Sequence, residues 1–225
     1  FSGLREAHAI AQLRLVNTGL HSLEPLIGSR VGATMDFLAI DRNDLTDLTP
    51  VAQFPNLMTL ALGMRDVPLD LSALSGLRLE NLQIYDTPLS DLSFLTGLPR
   101  LKALFVGGCG VTSDMLPEIG VLHELTELHL THNRLTTLDT LPLDSLPALR
   151  SLSLDGNYLD VDSLPRREGL TLYGDYRIGD DHPEDGSMGQ HPLCELMPLL
   201  SEALRECFGR LRKGPEAARQ GADSG

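Results

Sequence analysis

One short pattern of apolar residues recurs seven times along this 225-residue chain and constrains its fold more than any other feature. Each copy has apolar residues at its first, fourth, sixth and eleventh positions and, with one exception, an Asn, Thr or Cys at the ninth. Because one copy is too short to bury its own apolar residues, the copies are expected to stack into one continuous core. A degenerate eighth copy follows seven regular ones, which begin at Ile10, Met35, Leu57, Leu79, Leu101, Leu125 and Leu149.

The first half of each copy predicts a short β-strand. Apolar residues alternate with others there, as at Leu60 and Leu62 or at Leu128 and Leu130, which is the period of a strand with one buried face. The polar ninth residue can hydrogen-bond backbone groups of the neighbouring turn. Arg65 is the exception at that position, so its turn is expected to be the least regular. The second halves combine apolar residues with Pro and Gly, which favours 3₁₀ or short helical turns.

These copies closely resemble leucine-rich repeats of the short 22-residue class, as in bacterial internalin-type proteins and some phosphatase regulators. The resemblance implies an α/β repeat fold, a leucine-rich-repeat solenoid in the form of a curved horseshoe. Its parallel strands would line a concave sheet, and short 3₁₀ or helical segments would form the convex side. The repeats would occupy residues 10–178 and need caps at both open ends.

The segments on either side of the repeats differ in composition. Residues 1–9 predict either an N-terminal cap or the end of an upstream domain. Residues 179–191 are polar, acidic and Gly-containing, which indicates an exposed loop. Residues 192–213 place apolar side chains three or four apart, the stripe of an amphipathic helix, which would cap the last repeat or, alternatively, bind a partner or a second copy. Residues 214–225 predict a disordered tail.

Charge and composition exclude several classes of function. The net charge of −13 argues against nucleic-acid binding, which requires a concentration of Lys and Arg. No apolar run reaches the ~18 residues that cross a bilayer, so no membrane partner is predicted. Three cysteines, Cys109, Cys194 and Cys207, cannot all pair within one chain, which favours a reducing, cytoplasmic location. The first residue is Phe1 rather than Met, so a covalently linked upstream domain is expected.

Function is expected at strand positions that the leucine core does not use. The third, fifth, seventh and eighth residues of each copy point away from that core, onto the sheet surface. Bulky apolar side chains there predict the centre of a protein-binding surface, and charged or polar ones predict its rim; the alternative is scattered exposed residues that never form one patch. The candidate partner-binding residues are Phe37, Arg42, Met64, Tyr85, Asp86, Phe105, Glu127, His129 and His132.

Signals for catalysis and for metal or cofactor binding are weak. Glu127, His129 and His132 share one strand segment, but the sequence fixes no third ligand beside them, and a polar rim explains them better. A second set in and after the acidic loop has ligand chemistry, although a solvated acidic loop explains it better: Asp180, Asp181, His182, His191 and Cys194. Phosphate-loop, hydrolase and zinc-protease motifs do not occur. We therefore predict no enzyme activity, no cofactor and no metal.

The sequence thus predicts a non-enzymatic module that binds a protein partner on its concave sheet. The style of the spacers, as in DLTPVAQFPNL, also resembles the C-terminal repeats of bacterial NACHT-type signalling ATPases, which implies a sensor domain of a larger protein. An internalin-like surface adhesin is a further alternative. A catalytic part within residues 177–225 ranks last, because that segment is too short for a separate core.

Overall fold

In a computed structural model that describes residues 10–63, 69–159 and 164–174, eight parallel strands form one sheet in chain order. Each strand lies in the first half of one repeat, including the degenerate eighth, as the sequence predicts. The strands are β1 (Gln12–Val16), β2 (Phe37–Asp41), β3 (Thr59–Gly63), β4 (Asn81–Tyr85), β5 (Ala103–Gly107), β6 (Glu127–His129), β7 (Ser151–Ser153) and β8 (Thr171–Tyr173).

The leucine pattern sets the register of this sheet. Leu38 of β2 pairs with Leu60 of β3, and the equivalent apolar residues continue strand by strand to Leu172 of β8. These side chains share the inner face of the sheet, and those of β2 to β7 are almost completely buried. Removing that much aliphatic surface from water supplies the main stabilisation, about 25 cal/mol for each Å².

The second half of each repeat returns the chain by short helical turns. One five-residue α-helix, α1 (Arg30–Thr34), starts at Ser29, whose hydroxyl accepts a hydrogen bond from the Gly32 amide at 3.0 Å. The other described segments are 3₁₀ helices, which confirms the interpretation of the Pro- and Gly-containing spacers. They are Glu24–Leu26, Thr49–Gln53, Leu71–Leu74, Ser93–Gly97, Ser113–Val121 and Leu143–Ser145.

Buried polar residues at the ninth repeat position connect successive turns. Asn133 Oδ1 accepts hydrogen bonds from the amides of Cys109 and Val111, both at 3.1 Å. Its Nδ2 donates to the carbonyls of Val106 and Thr131 at 2.7 and 3.1 Å. Equivalent bonds surround Asn43. The predicted structural role of this position is thus visible in the turns that the structure describes.

Several sequence-based predictions concern residues outside the described part of the chain. They are the N-terminal cap at 1–9, the irregular turn at Arg65, the position of Met64, the acidic loop at 179–191, the helix at 192–213 and the tail at 214–225. Within the described residues, no helix combines the length and apolar character needed to span a bilayer.

Candidate protein-binding surface

The outer sheet face is the side of the sheet opposite the leucine core, formed by the third, fifth and seventh residues of each repeat. The predicted anchors Phe37, Tyr85 and Phe105 lie on it, together with Glu127 and His129. The remaining described candidates follow the strands, at the eighth repeat position. They form the rim: Arg42, Asp86 and His132. The described candidates thus lie along one face of the sheet and at the ends of its strands.

The exposure predicted for the aromatic anchors is wrong. Phe37, Tyr85 and Phe105 are only 3%, 5% and 1% exposed, and His129 is buried as well. Arg42, Asp86 and Glu127 are partly exposed, and His132 is exposed. The centre of the face is therefore packed rather than open to solvent, and only the polar candidates reach water.

Contacts between neighbouring strands explain part of this burial. The rings of Phe105 and His129, which are register partners in β5 and β6, stack at 4.3 Å between centroids with an interplanar angle of 18°. The Arg14 guanidinium carbon lies 4.9 Å from the centre of the Phe37 ring, a cation–π contact between β1 and β2. Strands ~4.8 Å apart bring such side chains close enough to cover one another.

Glycines on the following repeat accommodate the largest outer side chains. A Cβ at Gly107 would lie 2.9 Å from Cδ1 of Tyr85, so the tyrosine ring occupies the space that the glycine leaves. A Cβ at Gly63 would lie 2.6 Å from Oδ1 of Asp41. Side chains of the preceding repeat therefore fill the space that these glycines leave.

The rim residues adopt an uncommon backbone conformation. Arg42, Asp86 and His132 have φ of 51°, 48° and 54°, which is the left-handed region. Gly108 and Gly156 adopt it at the same repeat position, with φ of 65° and 68°. A side chain with a Cβ is disfavoured there by about 1–2 kcal/mol, so the repeat turn alone does not require an arginine, an aspartate or a histidine.

Comparisons with known proteins agree with this geometry. Residues 123–166 match the family model for leucine-rich repeats in two copies. An internalin (inlF) from Listeria monocytogenes superposes with a TM-score of 0.60 and 26% identity over 76% of this chain. The chain is a leucine-rich repeat protein.

A second internalin supports the same assignment. Internalin C2 (inlC2) of Listeria monocytogenes superposes with a TM-score of 0.53 and 26% identity, covering 74% of this leucine-rich repeat chain and 81% of its own. The chain spans about half the length of inlF, of which 48% is covered. A comparison with curated protein sequences gives no match.

Burial changes the proton affinity of two groups on the outer face of this leucine-rich repeat protein. Desolvation lowers the pKa of His129 from its ordinary 6.5 to about 4, and the nearby Asp155 carboxylate opposes this only in part. Burial likewise raises the pKa of Tyr85. Both side chains are therefore neutral at pH 7.

We expect His129 to make the stability of this leucine-rich repeat protein dependent on pH. Between pH 6.5 and about 4, the unfolded chain binds a proton at this residue while the native chain does not. The free energy of unfolding therefore decreases as the pH is lowered through this range. The loss attributable to His129 is about 3 kcal/mol across that window. Urea titrations of wild type and His129→Gln at several pH values would measure it; parallel profiles would contradict it.

No second site with obvious chemistry emerges among the described repeats. Within residues 10–63, 69–159 and 164–174, no three His, Cys, Asp or Glu side chains group in a way that could hold a metal ion. An open groove of about 630 Å³ separates the 3₁₀ helices Leu71–Leu74 and Ser93–Gly97. Its carboxylates, Asp70 and Asp91, accept hydrogen bonds from the Ser72 and Ser93 amides, which is a capping role.

Sequence reasoning missed part of the outer sheet face of the leucine-rich repeat protein. Gln83 and Ser153 lie in the same register row as Phe105 and are equally buried. The available signal was the succession of large and small residues at one repeat position, such as Tyr85 before Gly107, which indicates that one repeat packs against the next.

Proposed function

We propose that this protein is a non-enzymatic recognition module that binds a protein partner along its outer sheet face and rim. The observation that carries the proposal is the rim itself. Arg42, Asp86 and His132 present charge or hydrogen-bonding capacity at the same position of three repeats, in a backbone conformation that glycine adopts without strain. These side chains are not part of the leucine core, whereas a bound partner would contact them.

The spacing of the rim residues suits an elongated binding partner. They follow β2, β4 and β6, so neighbouring members of the set are two strands apart. With strands ~4.8 Å apart, the row extends over about 20 Å. Charged groups at a rim mainly direct the approach and the orientation of a partner.

Reversing two rim charges tests this proposal. We expect the double variant Arg42→Glu, Asp86→Lys to bind its partner about 5- to 30-fold more weakly, because two rim contacts contribute roughly 0.5–1 kcal/mol each. The measurement is affinity capture with the full chain as bait, followed by titration of the captured protein against wild type and variant.

The matched control is Arg100→Glu, Asp144→Lys, which makes the same charge changes at two exposed residues away from the sheet. It should bind like wild type. Equal affinity of both double variants and wild type for the captured partner would contradict a role for the rim.

The likeness to two Listeria internalins favours a second candidate function, a surface adhesin that binds a protein on another cell. The alternative setting is a cytoplasmic one, in which the repeats form the sensor part of a larger NACHT-type protein. The gene sequence upstream of Phe1 distinguishes them: a signal peptide supports the adhesin, and a nucleotide-binding domain supports the sensor.

A further inference from the structure

The groove between the 3₁₀ helices Leu71–Leu74 and Ser93–Gly97 leaves apolar surface open to solvent. Its volume of about 630 Å³ falls within the range of ligand sites, about 300–1,000 Å³. The leucine core covers its apolar side chains on one side only, so that each remains at least partly exposed. These side chains are Leu69, Pro88, Leu89 and Phe94.

Contacts between the two repeats fix the shape of this groove. The Gly76 amide donates a hydrogen bond to the Gly97 carbonyl, and the Leu89 amide donates one to the Cys109 carbonyl, both at 3.0 Å. A Cβ at Gly97 would lie 2.6 Å from Oγ of Ser75, so the two repeats touch at this end. A groove that is already formed loses little conformational freedom when a ligand binds.

Two carboxylates give the groove a negative charge. Hydrogen bonds from the hydroxyl and the amide of Ser72 lower the pKa of Asp70, and those from Ser93 lower the pKa of Asp91. Both groups are therefore ionised at pH 7. Among the described residues, no Lys, Arg or His lies within ion-pair distance of either carboxylate, and none of the described lining residues is of these types.

Helix capping explains where the two aspartates lie, but not the apolar surface beside them. Asp47 caps the preceding 3₁₀ helix in the same way, since its carboxylate accepts a hydrogen bond from the Thr49 amide at 2.8 Å. Three residues after Asp47, Pro50 is buried, whereas Phe94, three residues after Asp91, is partly exposed. The groove thus differs from the preceding cap by the open apolar surface next to its charge.

This combination suits an arginine side chain. Arginine buries an apolar stem along apolar surface while its head stays charged. Its planar guanidinium has five donors for carboxylate oxygens and also packs on aromatic rings. Leu69, Leu89 and Phe94 would contact the stem and the planar head, and the two aspartates would accept its hydrogen bonds. The volume leaves room for apolar residues next to the arginine.

We propose that this groove binds an arginine side chain of a protein partner, in a segment with apolar residues on both sides of the arginine. The groove lies between 3₁₀ helices, on the other side of the leucine core from the outer sheet face. It is therefore a second binding surface, and it does not rest on the proposed function of the outer sheet face and rim.

An NMR titration of the isotope-labelled full chain tests this proposal. The probe is the peptide acetyl-Gly-Leu-Arg-Leu-Gly-amide, which should cause saturable shifts of the Ser72, Ser93 and Gly97 amide signals. The matched peptide has Gln in place of Arg and should bind about 5- to 30-fold more weakly, because it lacks both ion pairs. The absence of saturable shifts at these amides, or equal affinities for the two peptides, would contradict the proposal.

A charge-neutral variant separates binding from capping. In Asp70→Asn, Asp91→Asn the asparagine oxygens still cap the helices, but the negative charge is lost. We expect this variant to bind the arginine peptide about 5- to 30-fold more weakly than wild type. The matched control is Asp47→Asn, which makes the same change at a cap outside the groove and should bind like wild type. Unchanged affinity in the double variant would overturn the proposal.

Two further arms identify other occupants. If free arginine amide binds as tightly as the peptide, the groove takes a small guanidinium compound and the assignment to a protein segment is wrong. If the same amide signals shift with protein concentration before any peptide is added, a second copy occupies the groove, and the proposal is wrong as well.

The rim variant keeps this inference distinct from the proposed function. Arg42→Glu, Asp86→Lys should bind the arginine peptide like wild type, because neither residue lines the groove. Loss of peptide binding in this variant, with retention in Asp70→Asn, Asp91→Asn, would place the peptide at the rim and overturn the inference.

Discussion

Replacing Asn133 with alanine is expected to lower the free energy of unfolding by about 3–5 kcal/mol, because buried groups that lose a hydrogen bond are destabilised by roughly 1–3 kcal/mol each. The Asn133 side chain makes four hydrogen bonds to backbone groups of its own turn and the preceding one. Alanine leaves the amides of Cys109 and Val111 without that acceptor, in surroundings that exclude water.

Urea denaturation followed by circular dichroism measures this effect. The control is Asn56→Ala, which removes an exposed asparagine with one hydrogen bond, to the Ala33 carbonyl at 2.7 Å. That variant should lose no more than about 1 kcal/mol. Equal midpoints for the two variants would show that the ninth repeat position is not the connecting element between turns.

The second large effect is expected at Phe105. Its ring is 1% exposed and stacks on His129, so Phe105→Ala should destabilise the protein by about 3–5 kcal/mol, as for other buried phenylalanines. Loss of the stacked ring should also hydrate the imidazole and raise the pKa of His129 from about 4. Thermal unfolding and an NMR titration of the histidine measure the two results.

Tyr173→Ala is the matched control, because Tyr173 occupies the same register row but is 50% exposed. It should change stability by less than about 1 kcal/mol. Comparable destabilisation by the two substitutions would contradict the packed centre. Phe105→Ala is therefore unsuitable for testing partner binding. A loss of binding in this variant could result from unfolding as well as from a lost contact.

The sequence predicted the eight strands, their parallel order and the 3₁₀ turns, because each depends on interactions that recur in every repeat. Leu38, Leu60 and Leu82 occupy equivalent places, so the pattern of one copy determines where the next lies. The role of Asn133 was predictable for the same reason.

The state of the outer face was not predictable from single repeats. Whether Tyr85 is exposed depends on the residue at the same position one repeat later, and Gly107 there leaves room for the ring. The stacking of Phe105 on His129 depends likewise on a pair from two repeats. Alternation along one strand shows which face a side chain is on, but burial is decided across strands.

The strictly sequential pairing of the sheet affects how such a protein can diversify. Among the described strands, each one pairs with its immediate neighbours in chain order, so a whole repeat can be deleted or duplicated while the remaining pairs keep their register. Each such event removes or adds one row of outer and rim side chains. Gene rearrangement can therefore lengthen or shorten the recognition surface one strand at a time, without redesigning the interior.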